Sequence, residues 1–224
     1  MIEHGLGALQ SPPDERDLLI TSLLTERLAA VVLPSRYRVP TPAPILDQGS
    51  TPQCVAYSTS RMQMWNDRTD YVPHRWFNFN EGAFFRAIGG TADGAFLRAA
   101  LDRLVKVGYP VESTTPNPFA HKIRRYYAIP KTVLDMQRAI YHFGPVVAAF
   151  PWYNSWMHPV NGVLPRPDYA IGGHAIDVEA WDDGRRAFLL ANSWSTRWGM
   201  QGTCWLPYTY FVQACWEAWK VVDA

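Results

Sequence analysis

A chain of 224 residues with 48% hydrophobic and 14% aromatic content can bury one large core or two packed lobes, which excludes disorder as its ground state. Twenty-one basic and 20 acidic side chains leave a formal net charge of +1. No run of Lys or Arg exceeds two, so no surface is marked for tracking phosphates, and nucleic acid is set aside as a partner.

The opening segment, MIEHGLGALQSPPDERDLLI, lacks a basic start followed by an apolar run and a small-residue cleavage site, so no signal peptide is expected. A location in the cytoplasm or inside a larger particle follows as an expectation. The apolar stretch from Leu18 to Leu33 is broken by Thr21, Ser22, Thr25, Glu26 and Arg27, which makes a membrane span too costly and predicts a packed amphipathic segment. Residues 1–44, punctuated by SPPDERD and TPAP, read as an extended lead-in wrapping the domain that occupies 45–224.

From Cys54 the run CVAYSTSRMQMWND has no Gly or Pro and sets Val55, Tyr57, Ser58, Met62 and Trp65 near one face at helical spacing. A helix is predicted to start at or just before the cysteine. GAFLRAALDRLVKVG predicts a second, with Phe96, Leu97, Ala100, Leu101 and Leu104 as its apolar stripe and Gly108 as its stop. TVLDMQRAIYHFG predicts a third, ending at Gly144. Residues 110–130 read as a loop-rich seam. After Pro145, the runs VVAAFPWYNSW, HAIDVEAW and RAFLLANSW read as strands, so helices precede strands in an α+β arrangement.

Three cysteines, Cys54, Cys204 and Cys215, are too few and too odd in number for a disulfide framework, although a bridge between Cys204 and Cys215 stays open. No CxxC occurs and the six histidines lack metal-ligand spacing, so neither a metal nor another cofactor is expected. Ten tryptophans point to aromatic packing, a binding cleft or a surface covered by a protein partner in a larger assembly.

The chemistry converges on four side chains. Cys54 at a helix start faces unsatisfied N–H groups that favour a thiolate. HAIDVEAW and RAFLLANSW flank the turn signal Asp182-Asp183-Gly184-Arg185, and a turn centred between Asp183 and Gly184 sets His174 opposite Ser193, next to Asn192. A histidine near the sulfur can share its proton, and a side-chain amide can fix which ring nitrogen faces it. The amide of Gln48 could donate to a developing oxyanion, alongside the backbone N–H of Cys54.

DQGSTPQCVAYS, GGHAIDVEAWDD and LLANSWSTRWGMQGTCWLP resemble the segments of papain-like (C1-type) cysteine peptidases that carry the oxyanion glutamine and nucleophile, the histidine, and the asparagine. LPSRYRVP, KVGYP and FGPVVAAF follow the order of bacterial and phage-type members. The resemblance implies an N-terminal helical lobe of about 45–115 and a C-terminal antiparallel β lobe of about 116–224, with peptide or protein substrate across the cleft between them. It assigns catalysis to Cys54, His174, Asn192 and Gln48. Gly94 (with Gly89-Gly90 as the rival placement) and Gly173 would line the substrate cleft, and Trp194 would shield the bond between Asn192 and His174.

The resemblance has departures. Val55 stands where a Trp usually follows the nucleophile, Thr51 where a cysteine usually precedes it, and Pro52 and Gln53 replace small residues in the loop shaping the oxyanion hole. A long inhibitory pro-segment is not expected, which leaves restraint to a compartment, a narrow specificity, a covering N-terminal strand or burial in an assembly. Hydrolysis of peptide bonds is the leading expectation. The others are amide hydrolysis or acyl transfer on a non-protein substrate, and a structural or binding module with weak or lost activity.

Overall fold

The computed structural model describes residues 4–70, 78–110 and 121–222. Residues 111–120 of the seam expected at 110–130, and with them the boundary expected between the lobes, lie outside those residues. In chain order the elements are β1 (Ala8–Leu9), α1 (Glu26–Ala29), β2 (Arg36–Arg38), α2 (Cys54–Asp70), α3 (Glu81–Ala87), β3 (Ala95–Phe96), α4 (Leu97–Lys106), β4 (Arg125–Ala128), α5 (Val133–Phe143), β5 (Val146–Tyr153), β6 (Ala170–Asp182), β7 (Ala187–Ala191), β8 (Thr203–Pro207), α6 (Tyr208–Ala214) and β9 (Glu217–Val222). The fold is the expected α+β one, helical first and antiparallel sheet second.

The sheet runs β4-β9-β5-β6-β7-β8, with β2 added alongside β6. Its pleat sorts the core by alternation. Val146, Ala148, Phe150 and Trp152 of β5 enter one cluster with α5, α6 and the tryptophans, whereas Val147 and Ala149 enter a second with α2 and α4. The lead-in does more than wrap: β2 pairs antiparallel with β6, Arg38 opposite Ala180, and β1 pairs parallel with β3.

The predicted helices form, with two shifts. Phe96 precedes α4 as its N-cap and is more than a third exposed, so the buried stripe begins at Leu97. On α2, Tyr57 and Trp65 are the half-buried positions, and the helix is buried almost all round, including Ser58, Thr59, Ser60, Arg61, Gln63, Asn66 and Asp67. Polar side chains tolerate such burial when their hydrogen bonds are made internally. Thr59 donates to the Val55 carbonyl at 2.6 Å and Gln63 to Asp67 at 2.6 Å. Helix α5 starts on a Thr132 cap that accepts from Asp135 N–H at 3.1 Å and stops at Gly144, whose φ of 94° suits glycine.

The hairpin closes one residue later than expected. Asp182 pairs with Ala187 around a loop of residues 183–186, and an irregularity near Glu179, away from the turn, sets Asp177 opposite Ala191. The strand ends there, before Asn192. All three cysteines are free thiols, so Cys204 and Cys215 are not bridged.

Candidate active site

Cys54 is the first residue of α2, His174 lies in β6, and Asn192 follows β7 directly. Gln48 sits on a short extended segment tied to the residues after Asn192: its N–H donates to the Ser193 carbonyl at 2.8 Å, and Ser195 N–H donates to the Leu46 carbonyl at 3.0 Å. All four candidates therefore meet where the start of α2 abuts the β6–β7 hairpin.

The hydrogen bonds assign the histidine tautomer. Asn192 Oδ1 accepts the Ser193 backbone N–H at 2.8 Å, which marks it as the oxygen, and it lies 2.8 Å from His174 Nε2. Nε2 must then carry the hydrogen, leaving the lone pair on Nδ1. Nδ1 is buried and has no hydrogen-bond partner. A lone pair without a donor is what a base awaiting a proton presents. Trp152 and Trp194 flank the ring at 4.7 and 4.6 Å between centroids, holding its orientation and excluding water.

The sulfur lies beside the strand of the histidine, since the N–H of Ala175 donates to Cys54 Sγ at 3.5 Å. Contrary to the expected cleft thiolate, Cys54 is fully buried. Burial pushes its thiol up to about 11, against the opposing pull of the Ala175, Gly7 and Val55 N–H groups. Burial likewise holds His174 down at about 4, against its bond to Asn192. In this state the two groups are neutral thiol and neutral imidazole.

The cause of that burial is the chain's own segment 4–9, part of the expected lead-in and an instance of the covering N-terminal strand that was one of the four restraints the sequence allowed. Gly5 N–H donates to the Gly49 carbonyl at 3.0 Å, Gly7 N–H to the Gly173 carbonyl at 2.9 Å, and Ala95 N–H to the Gly7 carbonyl at 2.9 Å. His4 stacks on Trp194 with ring centroids 4.6 Å apart. Beyond it, Ser11 N–H donates to Glu217 Oε1 at 2.9 Å. The segment runs between Gly94 on one side and Gly173 on the other, so these two expected cleft residues do line it. Gly90 of the rival pair instead packs against the Phe85 ring. The alternation of Gly5 and Gly7 was the available signal.

Gln48 is oriented and occupied. Its Oε1 accepts from Ser193 Oγ at 2.6 Å, so Nε2 is the donor end, giving hydrogen bonds to the carbonyls of Thr51 at 2.7 Å and Gly5 at 3.1 Å. Trp194 Nε1 also donates to the Gly5 oxygen, at 3.3 Å.

A buried ion network, missed in the sequence, fastens the cysteine helix to the histidine strand. Arg61 of α2 reaches Asp177 at 3.2 Å and Glu179 at 2.6 Å on β6, and donates to the carbonyls of Ala43 and Pro44. Glu179 is shared with Arg38 of β2 at 2.6 Å. Removing Arg61 would leave the buried Glu179 carboxylate with only the half-exposed Arg38 as its partner. Among the described residues no three His, Cys, Asp or Glu side chains gather as metal ligands, and no helix is long and apolar enough to cross a membrane.

Such an arrangement can perform nucleophilic acyl chemistry once the covering segment moves. Residues 107–215 match the profile of the papain family of cysteine proteases. A peptidase C1-like protein of Acanthamoeba polyphaga mimivirus is 25% identical over 260 aligned positions, spanning 93% of this chain and 83% of that protein. Cathepsin B-like cysteine proteinase 4 of Caenorhabditis elegans is 34% identical over 113 positions, but the match covers only 33% of its length. Among solved structures, xylellain, a cysteine protease from Xylella fastidiosa, superposes with a TM-score of 0.85 at 23% identity, over 99% of this chain and 97% of that one. Procathepsin B S9 from Trypanosoma congolense superposes with a TM-score of 0.78 at 18% identity.

Proposed function

This chain belongs to the papain family of cysteine proteases, and from that premise we propose that it hydrolyses peptide bonds with Cys54 as nucleophile, His174 as acid and base, Asn192 as orienter and Gln48 as oxyanion donor. The observation that carries the reading is the His174 ring, with Nε2–H held by Asn192 Oδ1 at 2.8 Å and Nδ1 unpartnered.

The steps follow from those positions. Nδ1 takes the Cys54 proton, and the thiolate adds to the substrate carbonyl, whose oxygen gathers charge near Gln48 Nε2. The imidazolium returns the proton to the leaving amine as the C–N bond breaks, leaving a thioester. Nδ1 then takes a proton from water, hydroxide adds to the thioester, and the thiolate departs with the acid as product. Ion-pair formation needs a more polar site than the covered one, because the desolvation that favours the neutral pair is supplied in part by residues 5–7. The resting state is therefore latent, and activity requires that segment to leave.

Iodoacetamide labelling tests the assignment. In a Gly7→Leu variant at about pH 6.5, where an ordinary thiol of pKa ~8.5 is mostly protonated, Cys54 should label faster than Cys204 and Cys215 and should lose that advantage on adding His174→Ala. Equal rates at all three cysteines would refute the activated pair.

A further inference from the structure

Two glycines separated by one residue, Gly5 and Gly7, lie over the reacting groups, and the walls around them leave no room for a side chain. A Cβ on Gly5 would stand 1.8 Å from the Thr51 carbonyl oxygen, and one on Gly7 would stand 2.3 Å from the Pro52 carbonyl oxygen. Both distances are far inside van der Waals contact, and both obstructing atoms are backbone, which cannot swing aside as a side-chain tip can.

That backbone is also held from behind. Thr51 Oγ1 donates to the Gln48 carbonyl at 2.6 Å while Gln48 Nε2 donates to the Thr51 carbonyl at 2.7 Å. The N–H of Tyr57 donates to the Gln53 carbonyl at 3.0 Å as the first turn of α2 closes. The loop forming this wall carries Thr51, Pro52 and Gln53, three of the positions at which the resemblance to the family pattern breaks.

The opposite wall is equally bare and equally close. A Cβ on Gly94, where φ is 115°, would lie 1.9 Å from the Gly7 carbonyl oxygen, and one on Gly173 would lie 2.0 Å from the Ala8 carbonyl oxygen. Between the two glycines, Leu6 has room: it lies over Gly172 and packs against the tryptophan-rich core. The slot beside Cys54 is thus closed to side chains at two alternate positions and open to an aliphatic one between them.

We propose that this slot selects its peptide ligands by glycine at two positions separated by one residue, so that the substrates of the site are Gly-x-Gly segments with an aliphatic residue at x. The pattern holds for a substrate whose backbone runs in the direction of residues 5–7. A substrate must displace residues 5–7 and meet the same Thr51, Pro52, Gly94 and Gly173 walls. The choice of substrate class rests on the proposed hydrolysis, whereas the binding preference does not.

Two hexapeptides test it, acetyl-HGLGAL-amide and its counterpart with alanine at both glycines, added to the full-length Gly7→Leu chain during iodoacetamide labelling. The glycine peptide should halve the Cys54 labelling rate at a concentration at least roughly tenfold below the alanine peptide, as expected for a difference of about 1.4 kcal/mol or more. Equal protection by both, or by neither, overturns the proposal. If Gly7→Leu does not fold, the unsubstituted chain labelled over hours carries the same comparison, because each peptide can trap a transient opening. Mass analysis of the glycine peptide and of a set of acetylated Gly-x-Gly hexapeptides varied at x and at the flanks separates the two readings: protection by the glycine peptide without cleavage of any member of the set upholds the slot and sinks the hydrolysis.

Discussion

The carbonyl oxygen of Gly5 accepts a hydrogen bond from Gln48 Nε2 at 3.1 Å, so the amide proposed to hold an oxyanion is already holding a backbone oxygen of its own chain. The covering segment blocks the site in two ways, by occupying the donor and by drying the sulfur.

Uncovering should therefore raise the reactivity of Cys54 sharply. Gly7→Leu places a side chain where the Pro52 carbonyl oxygen would lie 2.3 Å from its Cβ, and the segment must lift. If the thiol falls from about 11 toward the ordinary ~8.5, its thiolate fraction at neutral pH rises by roughly two orders of magnitude. Labelling rates measured across pH check this, and an unchanged profile would show that the segment does not control the thiol.

His174 and Asn192 should not be equivalent. His174→Ala removes the group that moves the proton, for a loss of roughly 10²–10⁴ in kcat/KM. Asn192→Ala leaves Nδ1 able to accept a proton but releases the hydrogen bond that fixes the tautomer, so its loss should be smaller. Steady-state kinetics in the Gly7→Leu background compares them, and equal losses would contradict the division of roles.

Ser193→Ala probes the orientation of the oxyanion donor. Ser193 Oγ donates to Gln48 Oε1 at 2.6 Å, and without it the amide can turn its oxygen toward the substrate. We expect kcat to fall with KM little changed, by less than the roughly 10²–10³ that losing an oxyanion donor outright costs. Ser193→Thr, which keeps the hydroxyl, should restore most of the rate, and a failure to do so would point to a merely steric role.

Much of this site was legible in the sequence because its parts lie in short, strongly patterned segments. The order Gln48, Cys54, His174, Asn192 needed only a helix start and a hairpin, and an error of one residue in the turn still set His174 beside Asn192. A covering N-terminal strand was one of the restraints the sequence allowed, but its residues were not legible, since Gly5 and Gly7 acquire meaning only against Thr51 and Pro52, more than forty positions away. Arg61 was equally opaque. A polar residue in the middle of a helix reads as solvent-facing until its partners, Asp177 and Glu179, are brought in from β6.

The Arg61 network should be a point of fragility. Arg61→Leu removes the cation that faces Asp177 and Glu179 in the interior, and stranding buried charge costs about 3–5 kcal/mol. Urea unfolding should show a lower midpoint, and adding Glu179→Gln should recover part of the loss, since the buried carboxylate left with only the half-exposed Arg38 is then gone. Additive destabilisation by the two substitutions would mean that they act independently.

Asp177 also predicts how stability depends on pH. Its carboxyl is pushed up to about 7 from an ordinary 3.8, first by burial and then by Glu179 nearby, against the opposing pull of Arg61 and Lys220. Its Oδ1 has no hydrogen-bond partner. Between those two values the folded chain binds this proton and the unfolded chain does not, so stability falls as pH rises. The contribution is fully present below 3.8 and is lost as pH passes through about 7. Other groups titrate in the same window, so the informative quantity is the difference between the parent and Asp177→Asn, which has no proton to lose there. Thermal melts of the two chains should show the variant gaining stability relative to the parent from acid to neutral pH. A constant difference across that range would mean that Asp177 is ionised throughout and that Arg61 outweighs its burial.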